Sequence, residues 1–447
     1  MNPFRKITIL LLLICLFLTA CGSNPAPSAP AETTLPQNLE TVDYAASVKL
    51  DMSASTAKAE VTVRSFIDGD TVHFNVPTDV SPDGIFKARF LAINTPESTG
   101  KIEEYGKAAS NFTKEKLSNA TSIILESEEA SWDIDSTGGR FLAWIWYKTD
   151  ADSEYRNLNI EILQNGLALP NSSANNQYGS VCMAAINQAK REKLNIYSGQ
   201  KDPGFYYGDA VELTLKELRT NIENYNGIKV AFNGIVSTNS GSQGVYVEDY
   251  DAETGLHYGI YIYYGHGLSG TGLDILSVGN EVRIVGTVQY YEVGGTWQVS
   301  GLTYRMIQPD DPGNIQKLSE GHQAAYTLTD AATFVNGQVT LTTEEGERQI
   351  PYAEAVQSTT IQMCGLKVID AYTTETGGSS DGSLTLTCDA GGVTVSVRTA
   401  PLLDENGNRI TQDAYLGKTI DVKGIVDFFS GTYQIKVLTA KNITIIE

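Results

Sequence analysis

Apolar and polar residues alternate through residues 59–80, and this alternation predicts two β-strands joined at the turn Asp68-Gly69. Residues 86–93 show the same alternation and predict a third strand. Two more apolar stretches, residues 121–128 and 140–148, predict a fourth and a fifth strand. The first half of the chain therefore predicts a five-stranded unit.

Helical spacing interrupts these strands in three places. In residues 103–117 apolar side chains recur at intervals of three and four, which predicts an amphipathic helix. A short helix is predicted over residues 157–166 and ends at Gly166, and a last helix over residues 178–197 has one apolar face. Five strands with interposed and terminal helices predict a small OB-type barrel.

A repeated pattern occupies the second half of the chain. Residues 278–307 match residues 416–446, with paired glycines and a shared Gly-Thr-aromatic-Gln-aliphatic stretch. The paired glycines are Gly279 with Gly417 and Gly286 with Gly424. A duplication predicts two further OB-like β-barrels, and a chance similarity between two hairpins is the alternative.

The chain has 447 residues, which is too long for one compact core and corresponds to about three domains. The predicted fold class is mainly β with a few helices. The predicted segments are a signal peptide (1–20), a flexible tether (21–57), a first OB-fold barrel (58–203) and two further OB-like barrels (210–310 and 315–447).

The N-terminus carries an export pattern. Arg5 and Lys6 precede an apolar run from Ile7 to Leu18, which is too short for a stable transmembrane anchor. The run is followed by Thr-Ala and then Cys21, which resembles the lipobox of bacterial lipoproteins. The resemblance implies cleavage before Cys21, a lipid on its sulfur, and an anchor on the extracytoplasmic face of the cell membrane. An ordinary signal peptide with an accidental cysteine is the alternative.

A net charge of −21 argues against a broad basic surface for nucleic acid. Residues 58–203 contain 15 Lys and Arg against 20 Asp and Glu, a net charge of −5. Residues 204–447 contain 14 against 29, a net charge of −15. Any contact with a polyanion must therefore come from local placement of basic residues or from a bound cation.

Cysteine usage sets limits on disulfides. Of five cysteines, Cys15 leaves with the predicted signal peptide and Cys21 is predicted to carry the lipid. Cys182, Cys364 and Cys388 remain, and an odd number leaves at least one unpaired. The sequence leaves open whether Cys364 and Cys388 form a disulfide.

Four short motifs in the first half carry candidate chemistry. Each has an ordinary explanation alone, since Asp-Gly-Asp is a common turn and an arginine on a strand usually forms an ion pair. In order, they are Asp68-Gly69-Asp70-Thr71, Arg89, Asn94-Thr95-Pro96-Glu97 and Gly138-Gly139-Arg140. Together they resemble the staphylococcal nuclease (thermonuclease) family over about residues 59–200. The further stretches that agree in register are 104–114, 140–145, 165–168 and 189–196.

The resemblance implies a phosphodiester hydrolase. A phosphodiester gains negative charge during attack at phosphorus, so its site needs fixed positive charge and a group that orients or deprotonates water. Arg89 and Arg140 match the family's two catalytic arginines and are assigned to the phosphoryl oxygens, because a guanidinium binds two oxygens at once. Glu97 matches the catalytic glutamate, the proposed general base. An Arg–Glu–Arg ion-pair network without catalysis is the alternative.

The resemblance also implies one Ca²⁺ ion. It would be held by Asp70, by the residue at position 94 and by the backbone carbonyl of Thr95, with Glu97 in the outer shell. The family has aspartate at position 94, whereas this chain has Asn94. An amide oxygen still binds Ca²⁺, but the lost charge predicts weaker binding.

Aromatic side chains depart from the family and also suggest a second surface. Family aromatics are missing at Gly138 and in residues 169–173, which puts base stacking in doubt. Residues 258–265 and 288–297 of the later barrels are rich in tyrosine. Single-strand stacking and ordinary strand packing both use such residues, so nucleic-acid binding and a spacer or wall-contacting role stay open.

The sequence thus predicts an exported, membrane-anchored, Ca²⁺-dependent nuclease that hydrolyses DNA and RNA, with no protein partner. One rival hypothesis is a non-catalytic oligonucleotide-binding lipoprotein. The other is a structural surface lipoprotein with a degenerate nuclease fold. The joint presence of Arg89, Glu97 and Arg140 counts against both rivals.

Overall fold

The computed structural model describes residues 41–100, 102–241, 243–292, 294–343, 346–375 and 380–446. Cys21, the predicted signal peptide and most of the predicted tether lie outside the described residues. Among the helices within those ranges, none is long and apolar enough to cross a membrane.

The first barrel follows the alternating segments of the sequence. Its helices are α1 (Tyr44–Ser47), α2 (Gly106–Ser118), α3 (Leu158–Gln164) and α4 (Gly179–Arg191), with a 3₁₀ turn at Asn195–Tyr197. Its strands are β1 (Lys58–Asp68), β2 (Thr71–Asn75), β3 (Ile85–Phe90), β4 (Ile93–Asn94), β5 (Ser122–Glu126), β6 (Phe141–Lys148), β7 (Arg156–Asn157) and β8 (Leu169–Pro170). Strands β1, β2, β3, β5 and β6 form the barrel, which closes where β3 pairs in parallel with β6.

Large apolar side chains on β6 are buried, and a sharp turn leaves the barrel beside the candidate site. Trp144 and Trp146 are fully buried. The third predicted strand, 86–93, stops at Phe90, because Ala92 turns the chain with a φ of 67°. This turn directs residues 93–97 back toward the start of β2.

The second barrel has the same closure. Its helices are α5 (Leu215–Thr220) and α6 (Thr271–Ile275), with a 3₁₀ turn at Ile222–Tyr225. Its strands are β9 (Val211–Glu212), β10 (Lys229–Asn239), β11 (Gly244–Asp251), β12 (Leu256–Tyr263), β13 (Glu281–Tyr291), β14 (Thr296–Ser300) and β15 (Gln316–Ser319). Strands β10 to β14 close through the antiparallel pair β10–β13, and β15 adds to β13, so the sheet extends beyond residue 310.

The third barrel follows the second and closes in the same way. Its helices are α7 (Ala331–Asn336) and α8 (Tyr352–Ala355), with 3₁₀ turns at Gln412–Ala414 and Ala440–Asn442. Its strands are β16 (Thr327–Leu328), β17 (Gln338–Thr343), β18 (Gly346–Pro351), β19 (Thr360–Thr373), β20 (Ser383–Ala390), β21 (Val393–Pro401), β22 (Thr419–Phe429), β23 (Thr432–Val437) and β24 (Ile443–Ile445). Pairing of β19 with β22 closes it. Three closed five-stranded barrels confirm the predicted fold class.

The sequence repeat corresponds to repeated structure. It covers the hairpin β13–β14 in the second barrel and β22–β23 in the third. A Cβ atom at Gly286 would lie 2.7 Å from the carbonyl oxygen of Ser300, and one at Gly424 would lie 2.7 Å from that of Lys436. Glycine at both positions therefore lets the next strand approach at the same point of each barrel.

The three cysteines within the described ranges are free thiols. Cys364 on β19 is exposed, whereas Cys182 and Cys388 are fully buried. Burial raises the pKa of both buried thiols to about 12. The disulfide that the sequence left open is therefore not formed in this structure.

Only Cys364 is expected to react quickly with iodoacetamide at pH 8, because the thiolate is the reactive form and burial suppresses it. In the chain without residues 1–21, peptide mass spectrometry after brief treatment should find one labelled cysteine, and three after denaturation. Cys364→Ser is the control and should remove the fast reaction. Fast labelling of Cys388 in the folded chain would contradict its buried position.

Candidate active site

The candidate site begins at the turn between β1 and β2. Asp68 ends β1, and Gly69 and Asp70 form the turn. A Cβ atom at Gly69 would come within 2.9 Å of side-chain atoms of both Ala109 on α2 and Thr95. Only glycine fits here without displacing its neighbours, so the turn is pressed between α2 and the segment that carries Thr95.

Arg89 lies near the end of β3, opposite Thr71 in the β2–β3 register. Its guanidinium donates to the carboxylate of Asp70 and to the side-chain oxygen of Asn94. Asp70 is fully buried, and 15% of the Arg89 side chain is exposed. Burial raises the pKa of Asp70 above its ordinary value, although the charge of Arg89 and the backbone N–H of Thr95 oppose this shift.

The turn after β3 brings Asn94 and Thr95 to Asp70. The backbone N–H of Thr95 donates to the second carboxylate oxygen of Asp70 at 2.8 Å. Helix α3 holds this turn, since the side-chain amide of Asn159 donates to the carbonyl of Leu91 at 2.9 Å. Both oxygens of Asp70 are thus engaged by groups from one short segment.

The backbone of Glu97 is held by α2 and by the end of β1. The N–H of Glu103 donates to the Glu97 carbonyl at 2.9 Å, and the Glu103 carboxylate accepts from the Glu97 N–H at 3.2 Å. A Cβ atom at Gly106 would lie 2.2 Å from the same carbonyl, so α2 begins directly against Glu97. The next residue, Ser98, donates from its hydroxyl to Asp68 at 2.7 Å.

Three carboxyl groups share this end of the barrel: Asp68, Asp70 and Glu97. Burial raises the pKa of Asp68 to about 8, and its hydrogen bond and charge interaction with Glu97 act in the same direction, against the hydrogen bond from Ser98. The raised pKa favours the protonated form of Asp68, which limits the repulsion between neighbouring carboxylates.

Arg140 comes from the start of β6. Because Arg89 pairs with Leu142 in the parallel β3–β6 register, strand alternation places Arg140 on the same face as Arg89, with their Cα atoms about 8 Å apart. Its guanidinium donates from Nε to Asp135 at 2.8 Å, and 32% of its side chain is exposed. Although partial burial opposes them, hydrogen bonds from Thr137 and Arg140 hold the pKa of Asp135 below its ordinary value. Arg140 thus shares the face of Arg89 but bonds to Asp135 in place of Asp70 and Asn94.

The donor atoms around Asp70 suit a hard cation. The Asp70 carboxylate and the Asn94 side-chain oxygen both accept from the guanidinium of Arg89, and the buried Thr95 hydroxyl has no hydrogen-bond partner. Ca²⁺ prefers such oxygen donors, so the predicted ligands Asp70, Asn94 and Thr95 fit the ion chemically. No three His, Cys, Asp or Glu side chains form a metal-binding group in the part of the chain that the structure describes. The fit therefore rests on one carboxylate with amide and carbonyl oxygens.

The segment that lacks the family's tyrosines has a structural role here. Leu169–Pro170 form β8, which pairs with Ile93–Asn94 of β4. The hydroxyl of Ser173 donates to the carbonyl of Ala92 in the sharp turn. Residues 169–173 therefore support the turn that positions Asn94.

The sequence predicted the candidate catalytic residues and metal ligands, but it did not predict the residues that hydrogen-bond to them and hold them in place. Asp68 belonged to a recognised motif but received no role. Asp135 had a usable signal, because it precedes Arg140 by five residues across a Gly-Gly turn, a spacing typical of a hairpin that folds back on itself. Ser98 had none.

Known proteins resemble this part of the chain. The family described as staphylococcal nuclease homologue matches residues 87–199. A thermonuclease from Staphylococcus intermedius is 31% identical over 140 residues, which cover 30% of this chain and 74% of that protein. A thermonuclease from Staphylococcus hyicus is 31% identical over 137 residues, which cover 30% of this chain and 72% of that protein. The chain therefore belongs to the staphylococcal nuclease family, through the nuclease-like domain that carries this site.

Proposed function

We propose that the chain is a Ca²⁺-dependent nuclease that hydrolyses phosphodiester bonds of DNA and RNA. The observation that carries the proposal is the contact of Arg89 with Asp70 and Asn94, with Glu97 held on the adjoining loop. The thermonuclease relatives support the reaction class. Export and a lipid anchor at Cys21 belong to the same proposal and rest on the N-terminal sequence pattern.

Arg89 and Arg140 bind the phosphate in this mechanism. Arg89 stands on β3 and Arg140 directly precedes β6, its parallel neighbour, so a phosphodiester bound at these two strands would be within reach of both side chains. Arg89 is oriented before substrate arrives, because Asp70 and Asn94 fix two of its nitrogens. Donors that are already oriented stabilise the charge that develops on the phosphoryl oxygens without reorganisation during the reaction.

Glu97 accepts the proton of the attacking water. Its backbone makes two hydrogen bonds with Glu103 and lies directly against Gly106, which limits the positions that its carboxylate can adopt. A carboxylate in this role contributes about 10²–10⁴-fold to the rate.

Asp70, Asn94 and the Thr95 carbonyl would hold Ca²⁺. When bound, the ion supplies positive charge next to a phosphate oxygen in a chain whose net charge is −21. Asp70 is buried, and its carboxylate and the Asn94 side-chain oxygen both accept from the Arg89 guanidinium, which keeps the two oxygens near each other.

Asn94→Asp is expected to tighten Ca²⁺ binding by about tenfold, equivalent to about 1.4 kcal/mol. Two unit charges at about 4 Å attract by roughly 4 kcal/mol at an effective dielectric of 20, and desolvation and pairing of the new carboxylate with Arg89 offset most of this. Titration calorimetry and the Ca²⁺ concentration for half-maximal cleavage measure the change. Asn224→Asp is the matched control, because it adds the same charge at an exposed position of the second barrel. Equal affinities of Asn94→Asp and wild type would remove Asn94 from the metal ligands.

Digestion of plasmid and of single-stranded DNA and RNA tests the function directly. The purified chain is expected to cut each in Ca²⁺ and to cut none in EGTA. A non-catalytic oligonucleotide-binding lipoprotein would retard DNA in a gel without shortening it, and that result would replace the nuclease proposal with the binding hypothesis. Labelling with a radioactive lipid precursor, abolished by Cys21→Ser, tests the anchor separately.

A further inference from the structure

Gln289 of the second barrel contacts the loop that carries Glu97. It lies on β13, and its side-chain Nε2 donates to the backbone carbonyl of Ser98 at 2.7 Å. Ser98 directly follows Glu97 and is bound on its other side by Asp68. The residue after the candidate general base is therefore held between the first barrel and the second.

The amide of Gln289 is itself oriented. The hydroxyl of Ser300 on β14 donates to its Oε1. Ser300 is fully buried. Because Oε1 accepts from this hydroxyl, the NH₂ group is directed at the Ser98 carbonyl, which can only accept. The hydrogen bond to the loop is thus fixed by a second hydrogen bond within the hairpin.

Two further close approaches bring the second barrel against the same loop. A Cβ atom at Gly301 would lie 3.4 Å from the carbonyl oxygen of Gly100, and one at Gly100 would lie 3.7 Å from the ring of Tyr263. On the same side, Lys114 of α2 forms an ion pair with Glu292 beyond the end of β13. The second barrel therefore lies against this loop at other points besides Gln289.

The equivalent position in the third barrel carries a different residue, so the contact made by Gln289 is specific to the second barrel. Gln289 pairs with Gln298 in β13–β14, and the equivalent pair in β22–β23 is Asp427 with Gln434. Asp427 accepts a hydrogen bond from Gln434 at 2.8 Å within its own barrel. A carboxylate at position 289 could not donate to the Ser98 carbonyl, so the glutamine supplies what that contact requires.

From this geometry we infer that Gln289 is a positioning residue of the nuclease site, and that the second barrel completes the site by fixing the loop behind Glu97. The inference rests on the proposed hydrolase function of that site. A displacement of about 1 Å in a catalytic group can cost about 10²-fold in rate, so a hydrogen bond on the neighbouring peptide is enough to matter.

Two substitutions at Gln289 in the whole chain test the inference. Gln289→Glu keeps the shape and removes the donor, and Gln289→Met removes the donor without adding charge. Both are expected to lower kcat for DNA by about 10–100-fold. For Gln289→Met, KM and the melting temperature should stay close to wild type, and hydrogen exchange should become faster at the amides of Glu97 and Ser98. Glu292→Gln is the matched control: it breaks only the exposed ion pair with Lys114 at the same interface and should change neither kcat nor exchange.

The outcomes separate this inference from the proposed function. The positioning role is overturned if the wild-type chain cuts DNA and the Gln289 variants match it both in kcat and in hydrogen exchange at Glu97 and Ser98. An equal loss in Glu292→Gln would also overturn it, since any weakening of the interface would then suffice. If the wild-type chain cuts nothing, the nuclease proposal fails, and unchanged exchange at Glu97 and Ser98 in Gln289→Met would reject the contact independently.

Discussion

Glu97→Gln is expected to lower kcat by about 10²–10⁴-fold with little change in KM for DNA. Glutamine has nearly the shape of glutamate and can still bond to Asp68, but it cannot accept a proton from water. The backbone bonds from Glu103 do not depend on the Glu97 side chain, so the loop should keep its place. Initial rates on single-stranded DNA at saturating Ca²⁺, with melting temperatures measured alongside, would reveal the loss.

Glu115→Gln is the control for this experiment. Glu115 is exposed on α2 of the same barrel, and the substitution makes the same change of charge. Its kcat should equal that of the wild type. If Glu97→Gln cuts DNA as fast as Glu115→Gln, then Glu97 does not act as the base, and the alternative of a plain ion-pair network would gain support.

The sequence predicted the barrels well because local patterns encode them. Alternation along 59–80 predicted two strands, the apolar stretches 121–128 and 140–148 predicted one strand each, and the repeat predicted one hairpin twice. Closure of the first barrel was not readable in detail, because the parallel pairing of β3 with β6 joins residues about fifty positions apart. The early end of β3 at Phe90 escaped prediction too, since Ala92 has no bias toward its left-handed conformation.

The sequence pointed to the candidate residues of the site but not to the residues that hold them in place. Arg89, Glu97 and Arg140 stand in motifs whose residue types suit phosphoryl chemistry. Gln289, in contrast, follows an ordinary strand pattern and lies 191 positions from Ser98, so only the packing of two barrels reveals the contact. Predicted domain boundaries would have separated these two residues into different units.

Arg89 and Arg140 differ in how much each contributes to the stability of the fold. Arg89 neutralises the buried carboxylate of Asp70, and removing one partner of a buried pair costs about 3–5 kcal/mol of stability. A substitution there would mix folding with catalysis. Arg140 pairs with Asp135 on the hairpin before β6, and 32% of its side chain is exposed, against 15% for Arg89, so a substitution at Arg140 is expected to cost less stability. Arg140 is therefore the better position at which to measure phosphate stabilisation alone.

Arg140→Lys is expected to lower kcat by about 10²–10³-fold while the melting temperature stays close to wild type. Lysine keeps the positive charge, but its ammonium is a single point and cannot meet two phosphoryl oxygens as a guanidinium does. Single-turnover cleavage of a short oligonucleotide measures the chemical step, and calorimetry of the same samples measures stability.

Asp135→Asn separates phosphate binding from the ion pair. It removes the carboxylate that holds Arg140 in this structure but leaves the guanidinium in place, so its kcat should equal or exceed that of wild type. If kcat falls as far in Asp135→Asn as in Arg140→Lys, then the ion pair between Arg140 and Asp135 sustains activity, and not the contact of Arg140 with phosphate. If Arg140→Lys cleaves at the wild-type rate, Arg140 does not stabilise the transition state. An arginine that acts on the substrate requires a large loss of kcat in Arg140→Lys and no loss in Asp135→Asn. Only that combination shows that the guanidinium is needed for activity while its ion pair with Asp135 is not.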